Sequence, residues 1–314
     1  MERPFFHRRS EPLMIDELYA LFQRNFPFVV REEAVARHIL AHAGNHVIET
    51  RDEHGSLIGA AVVNENTILM LCVDQQHRQQ GLGSKLLAEA EDFIQQGGHQ
   101  EVVVGVGFDY LAPGVPTSKR YAPAVNECFY EGLDDTSSRF FERRGYVHSW
   151  DCNCFDMRFP LSEFANCEHR ISDTIDGLTY RWVTEAELDA VCACVEDAWP
   201  EFVPYYRTPS FYEANGPEQV LIAVHDQEIA GALVVSLGVE GEGLGSVGCT
   251  AVRKAWRGRH IAVNLVTLGT AYLKDRGMRE AYLGYTYSGL DHLYGYAGYQ
   301  ICTYYMMAKK GLTP

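Results

Sequence analysis

Residues 78–84 read Arg78, Gln79, Gln80, Gly81, Leu82, Gly83, Ser84, a combination suited to gripping a diphosphate. The first turn of a helix leaves backbone N–H groups unpaired and carries partial positive charge, so it attracts phosphate oxygens. Glycines at Gly81 and Gly83 let the main chain approach such a ligand with no Cβ between, and Ser84 adds a hydroxyl donor. A second stretch, Arg257, Gly258, Arg259, His260, Ile261, Ala262, keeps the arginine and the final small residue. It has His260 where the first has Gly81, and Gly258 falls in a variable slot. A histidine still offers its backbone N–H, so the expectation is a weakened phosphate site. The order G-x-G-x-x-G is absent, as is an acidic residue ending the next strand, which argues against a Rossmann dinucleotide site.

Both stretches need a strand before them and a helix after. Apolar runs Ile68–Val73 and Val247–Val252 lead in, so that Val73 and Val252 close the strands. Apolar residues then recur at helical spacing. They are Leu82, Leu86, Leu87, Ala90 and Ile94 in the first copy and Ile261, Leu265, Leu268, Tyr272 and Leu273 in the second. Gly97 with Gly98, and Gly277, are stop signals, and strands follow at Glu101–Val106 and Glu280–Leu283. Upstream, helices are expected at Leu13–Asn25 and Arg31–Ala41, with strands at His46–Glu49 and Ser56–Val63. The second half has its counterpart helix at Glu185–Ala198 and strands at Gln219–Val224 and Glu228–Leu237.

A later signature also occurs twice. Phe141 to Gly145-Tyr146 and Tyr294 to Gly298-Tyr299 both read aromatic-x-x-x-Gly-Tyr, a short helix closed by glycine before a strand. Two landmarks repeated in one order indicate an internal duplication, with domains over 1–165 and 166–314. Arg78 and Arg257 lie 179 residues apart, but Gly145 and Gly298 only 153, so the first copy carries about 26 extra residues near 107–135. An insertion that long is read as a lid or a clasp, or as a surface decoration.

The 314 residues suit two ordinary domains, and 46% hydrophobic content lets each bury a core. A formal net charge of −15 repels phosphate backbones and anionic lipid, so nucleic acid and membrane surfaces are excluded as partners and a cationic amine is favoured. Nine cysteines show C-x-C pairs at Cys152/Cys154 and Cys192/Cys194 but no C-x-x-C knuckle. Reduced structural thiols are expected, with no metal, and hence a cytoplasmic location. No signal-peptide core or long apolar run is present.

With strand, Arg-x-x-Gly-x-Gly turn, helix and strand in this order and repeated, the sequence resembles the GNAT superfamily. That resemblance implies an α+β fold, two tandem acyl-CoA N-acyltransferase domains forming a pseudo-dimer, and acetyl-CoA as co-substrate. At finer grain the chain resembles bacterial tandem-GNAT proteins that include glucosamine and glucosaminide N-acetyltransferases. The matching pieces are Val104–Pro116, Trp199–Tyr205, Gly248–Val252, Tyr285–Tyr287 and Leu293–Gly295. In many such enzymes a tyrosine opening the later helix protonates the departing thiolate. The second copy has Tyr294 there, whereas Phe141 in the first cannot donate a proton. Chemistry is therefore expected in the C-terminal domain, with the N-terminal domain binding acyl-CoA without turnover or serving as scaffold. Asp291 is the candidate base, or else a cap for its own helix, and His292 is the alternative. Cys249 is read as a packed strand residue in preference to an acetyl-cysteine nucleophile. The acceptor implied is a small primary amine, an amino sugar first, then a polyamine, an aminoglycoside or a peptide amine. A non-catalytic acetyl-CoA-binding regulator is the rival class. Monomer and homodimer both stay open.

Overall fold

The computed structural model describes residues 11–105, 110–118, 135–149, 154–166, 177–207, 219–238, 240–287 and 289–313. The first half runs α1 (Glu11–Asn25), α2 (Glu33–Leu40), β1 (Asn45–Arg51), β2 (Leu57–Asn64), β3 (Thr67–Val73), α3 (Leu82–Gln96), β4 (Glu101–Val104), β5 (Val115–Thr117), α4 (Thr136–Glu142) and β6 (Val147–His148). Then come β7 (Cys154–Pro160), β8 (Leu178–Trp182), α5 (Leu188–Ala198), α6 (Val203–Arg207), β9 (Val220–His225), β10 (Glu228–Leu237) and β11 (Leu244–Val252). The chain closes with α7 (Ile261–Asp275), β12 (Glu280–Tyr287), α8 (Leu290–Ala297), β13 (Gln300–Met306) and β14 (Ala308–Gly311). Of the insertion near 107–135, only residues 110–118 and 135 lie among those described.

Two compact units result. Unit 1 has its strands in the order β1-β2-β3-β4-β14-β6. β2 is buried along its whole length, as a strand covered on both faces must be. The α3 stripe expected from spacing is buried as Leu86, Leu87, Ala90 and Ile94. Each leucine or isoleucine among them contributes about 1.5–3 kcal/mol by leaving water. In unit 2 the order includes β13-β7-β12-β11-β10-β9-β8. There α7 sits close to the sheet: a Cβ on Gly269 would come within 2.7 Å of Leu233 and 2.9 Å of Val247.

The linear division at 165/166 is crossed by two strands. β14, from the end of the chain, fills the gap between β4 and β6 of unit 1, with Ala308 opposite Val104 and Gly311 opposite Glu101. β7, from the first half of the sequence, lies between β12 and β13 in the sheet of unit 2. Periodicity reports that a segment is a strand; it carries no record of which neighbour supplies the hydrogen bonds.

Among the described cysteines none is in a disulfide, and all but the half-buried Cys249 are buried; Cys152 falls outside the described residues. Among described residues no helix is long and apolar enough to cross a membrane, and no group of three or more His, Cys, Asp or Glu could hold a metal ion.

Candidate active site

Both phosphate-type turns are built alike. A short 3-10 turn, Gln75–His77 or Lys254–Trp256, leads to an extended arginine and then to two left-handed residues before the helix begins. In unit 1 these are Gln79 (φ 62°) and Gly81 (φ 84°); in unit 2 they are Gly258 (φ 76°) and His260 (φ 60°). Each copy thus has one glycine for two left-handed slots, and the copies place it oppositely. Gly258 therefore does not occupy an unconstrained slot: it takes the first left-handed position, which unit 1 fills with Gln79. The spacing of the motif did not reveal that this position needs a positive φ.

His260 carries the strain of that exchange. It caps α7 from the left-handed region with no side-chain hydrogen bond to the helix. A His260→Gly variant is expected to raise stability by about 1 kcal/mol, the usual cost of a left-handed L-residue. Chemical denaturation measures it, and a destabilised variant would show that the imidazole makes a compensating contact.

The arginines brace these loops. Arg78 donates through Nε to the Val73 carbonyl at 2.8 Å and through Nη2 to Asn25 Oδ1 at 2.8 Å. Arg257 donates through Nε to the Val252 carbonyl at 3.3 Å and through Nη2 to the Ala198 carbonyl at 2.9 Å. Each ties the turn to the end of its strand and to the end of the unit's first helix, which fixes where the helix amides point. Gln79, Gln80, Gly81, Gly258, Arg259 and His260 lie exposed on the loops, with the Arg259 guanidinium 4.9 Å from the Trp256 ring. In α7 the first helical bond runs from Asn264 N to the His260 carbonyl, and in α3 from Lys85 N to Gly81. The N–H groups of Leu82, Gly83 and Ser84, and of Ile261, Ala262 and Val263, precede those bonds. That arrangement fits the diphosphate of an acyl-CoA.

Beside each turn the sheet opens. β3 and β4 pair in parallel at Thr67–Val103 and Ile68–Val104, and β11 and β12 at Leu244–Glu280 and Gly245–Ala281. Among the described residues neither ladder continues, although β3 runs on to Val73, β11 to Val252 and β12 to Tyr287. β11 also carries a bulge: Ala232 faces Ala251 but Val234 faces Gly248, and Cys249 sits at φ 50°. The Tyr206 hydroxyl donates to the Cys249 carbonyl at 2.8 Å. Bulges re-aim backbone groups at functional edges.

On the facing helix α8 of unit 2, the Tyr294 hydroxyl lies 3.4 Å from Thr250 Oγ1, within the bulge. Burial pushes its phenol up to about 12, so it is a neutral donor at working pH. Asp291, one turn earlier, is 2% exposed, and its Oδ1 accepts from the Gly289 N–H at 3.0 Å. His292 is exposed. Burial likewise pushes the Cys249 thiol up to about 12, far from the thiolate that a nucleophile requires.

The sequence matches the acetyltransferase (GNAT) family twice, over residues 15–112 and 188–297. This protein belongs to the GNAT family. Solved structures share the whole tandem fold. One is a fungal multi-domain β-N-acetylglucosaminidase described as carrying a GCN5-related glucosamine N-acetyltransferase region, with TM-score 0.75 and 17% identity. The match covers 96% of this chain and 37% of that larger one. A GCN5-related N-acetyltransferase from Sphaerobacter thermophilus gives TM-score 0.69 at 20% identity, covering 96% and 94% of the two chains. A tandem GNAT protein from the clavulanic acid biosynthesis pathway gives 0.69 at 16%, covering 97% of each. No curated protein sequence matches.

The first GNAT domain holds a cavity of about 780 Å³ whose lining includes Arg78, Gln79, Gly81, Gly83 and Ser84 together with Phe22, Ile68, Leu71, Val104 and Phe141. Phe141, 6% exposed, stands where the second domain has Tyr294. The sequence assigned no individual role to Thr250, Tyr206 or Asp156. Thr250 meets Tyr294 and Tyr206 holds the Cys249 carbonyl through the bulge, while Asp156 arrives on β7, and neither a bulge nor an added strand leaves a spacing signal.

Proposed function

We propose that this GNAT protein moves the acetyl group of acetyl-CoA onto a small primary amine, with the chemistry in the second domain. The observation that carries this reading is the buried Tyr294 hydroxyl beside Thr250 on the bulged strand, set against Phe141 in the first domain. In a ternary complex the amine nitrogen attacks the thioester carbonyl carbon and the C–S bond breaks. Backbone N–H groups around the β11 bulge stabilise the oxyanion, and Tyr294 gives its proton to the departing sulfur. Asp291 takes a proton from the amine. An Asp291→Asn variant is expected to lower kcat/KM by about 10²-fold or more. If kcat/KM stays within about twofold, Asp291 is a helix cap and nothing more.

Glucosamine or a glucosaminide is the leading acceptor, supported by the likeness to a fold whose fungal member is described as a glucosamine N-acetyltransferase region. It is also supported by the tyrosines of β12 and by Trp199, which offer flat apolar surface beside polar hydroxyls. Incubation with acetyl-CoA and a panel of amines, followed by free thiol, tests the reading. A protein that binds CoA tightly yet turns over no amine is instead a binding regulator. The cavity of the first domain, lined by Phe141 where an acid would be needed, supports that second reading.

A further inference from the structure

The two strands that flank the cleft of unit 2 each carry a left-handed residue, and each lies four residues beyond the last ladder pair. Counting four residues on from the paired Gly245 and Ala281 reaches Cys249 on β11 and Tyr285 on β12, with φ of 50° and 59°. A bulky aromatic residue in this region is a steric outlier that persists only where its surroundings over-determine it. In unit 1 the strand beside β3 leaves its ladder through a glycine, Gly105 at φ 85°, where no such cost arises.

Buried side chains anchor both kinks. Tyr206 holds the Cys249 carbonyl. The Tyr285 main-chain N–H donates to Asp156 Oδ1 at 3.0 Å, and the Tyr282 hydroxyl donates to Oδ2 of the same carboxylate at 2.5 Å. Asp156 is 2% exposed, so these donors replace the water that its buried carboxyl has lost. Its neighbours Phe155 and Met157 join the core beneath α7 and α8, which turns Asp156 to the opposite face of the sheet, where Tyr282 also lies. Past the kink, Tyr287 reaches a ring-centroid distance of 6.3 Å from Trp199, with 33° between the ring planes. Trp199 is 44% exposed and lies 6.2 Å from Phe202.

We infer that Asp156 is a positioning residue for the acceptor side of unit 2: by holding Tyr285 in its left-handed kink it aims Tyr287 at Trp199, completing an aromatic wall for a ring-bearing amine. The inference rests on the reading that transfer occurs in the second domain. It gives the strand contributed by the first half of the sequence a part in acceptor recognition, since β7 brings the carboxylate that sets the wall.

Full-length protein is assayed with acetyl-CoA and glucosamine by thiol release, and amide hydrogen exchange is followed in a peptide covering residues 280–287. Asp156→Ala is expected to raise the KM for glucosamine about tenfold while the KM for acetyl-CoA stays within about twofold. It should also speed exchange at the Tyr285 amide. Asp156→Asn keeps an oxygen for that N–H and restores most of both. In a Tyr285→Gly background the effect of Asp156→Ala shrinks, because glycine holds the kink without an anchor. Equal rises in the two KM values, or unchanged exchange at Tyr285, overturn the inference. Should Asp156→Ala not fold, Tyr287→Ala decides: a glucosamine KM equal to that of the unmodified protein removes the wall. If the unmodified protein acetylates no amine, the transfer reading fails and the acceptor wall with it, while exchange at Tyr285 still reports whether the anchor exists.

Discussion

Tyr294→Phe lowers kcat by about 10²–10⁴-fold, the range that a positioned general acid supplies, while acetyl-CoA binding is kept. The substitution removes one oxygen and leaves the ring in the core, against Tyr299 at a centroid distance of 5.9 Å. The hydrogen bond lost, to Thr250 at 3.4 Å, is long, so stability falls by about 1 kcal/mol at most. Chemistry and folding are thereby separated in one variant. The pH dependence follows from the same burial. The folded phenol is pushed up to about 12, whereas an unfolded tyrosine ionises near 10. Since the folded value is the higher, the stability linked to this group is whole below about pH 10 and is lost from there toward pH 12, as the unfolded chain sheds its proton first. Up to about pH 10, then, Tyr294 imposes no alkaline fall in rate. Denaturation and steady-state assays of the original protein and the variant across pH check both statements. A Tyr294→Phe protein with kcat within about twofold of the original would remove Tyr294 as the acid.

Removing residues 308–314 is expected to unfold unit 1 and spare unit 2. Those residues include β14, whose four ladder partners on β4 run from Val104 to Glu101. Without it β4 and β6 lose the strand between them. Ala308 is fully buried in the unit 1 core, Lys310 Nζ reaches Glu91 at 2.8 Å, and the Leu312 N–H donates to the Gln100 carbonyl at 2.8 Å. Several strand hydrogen bonds at about 1 kcal/mol each, together with exposed core, approach the 5–15 kcal/mol that holds a whole domain. Hydrogen exchange resolved along the chain measures it. Fast exchange through β1–β4 beside retained protection in β9–β12 is the expected pattern, and protection retained throughout would show that unit 1 closes its sheet without the strand.

Much of the fold was legible because it is periodic and local. The helical stripe of α3, the apolar runs of β3 and β11, and the glycines that stop the helices all report their own conformation through residue type and spacing. The duplicated turn was legible for the same reason, since a strand, a braced arginine and a helix start are consecutive. Gly258 was not: a positive φ is a property of the folded loop, and only there does it emerge that the two copies fill the same pair of slots in opposite order.

By itself, then, the sequence determined the elements around the two turns, their duplication and the family, because each depends on contacts between residues near one another along the chain. The tertiary structure alone decided that β14 serves unit 1 and β7 serves unit 2, that Tyr294 meets Thr250 on the bulged strand, and that Asp156 meets Tyr285. Strand partners are chosen by which buried edge is left open once the rest has packed, and such a choice between distant segments leaves no spacing to read.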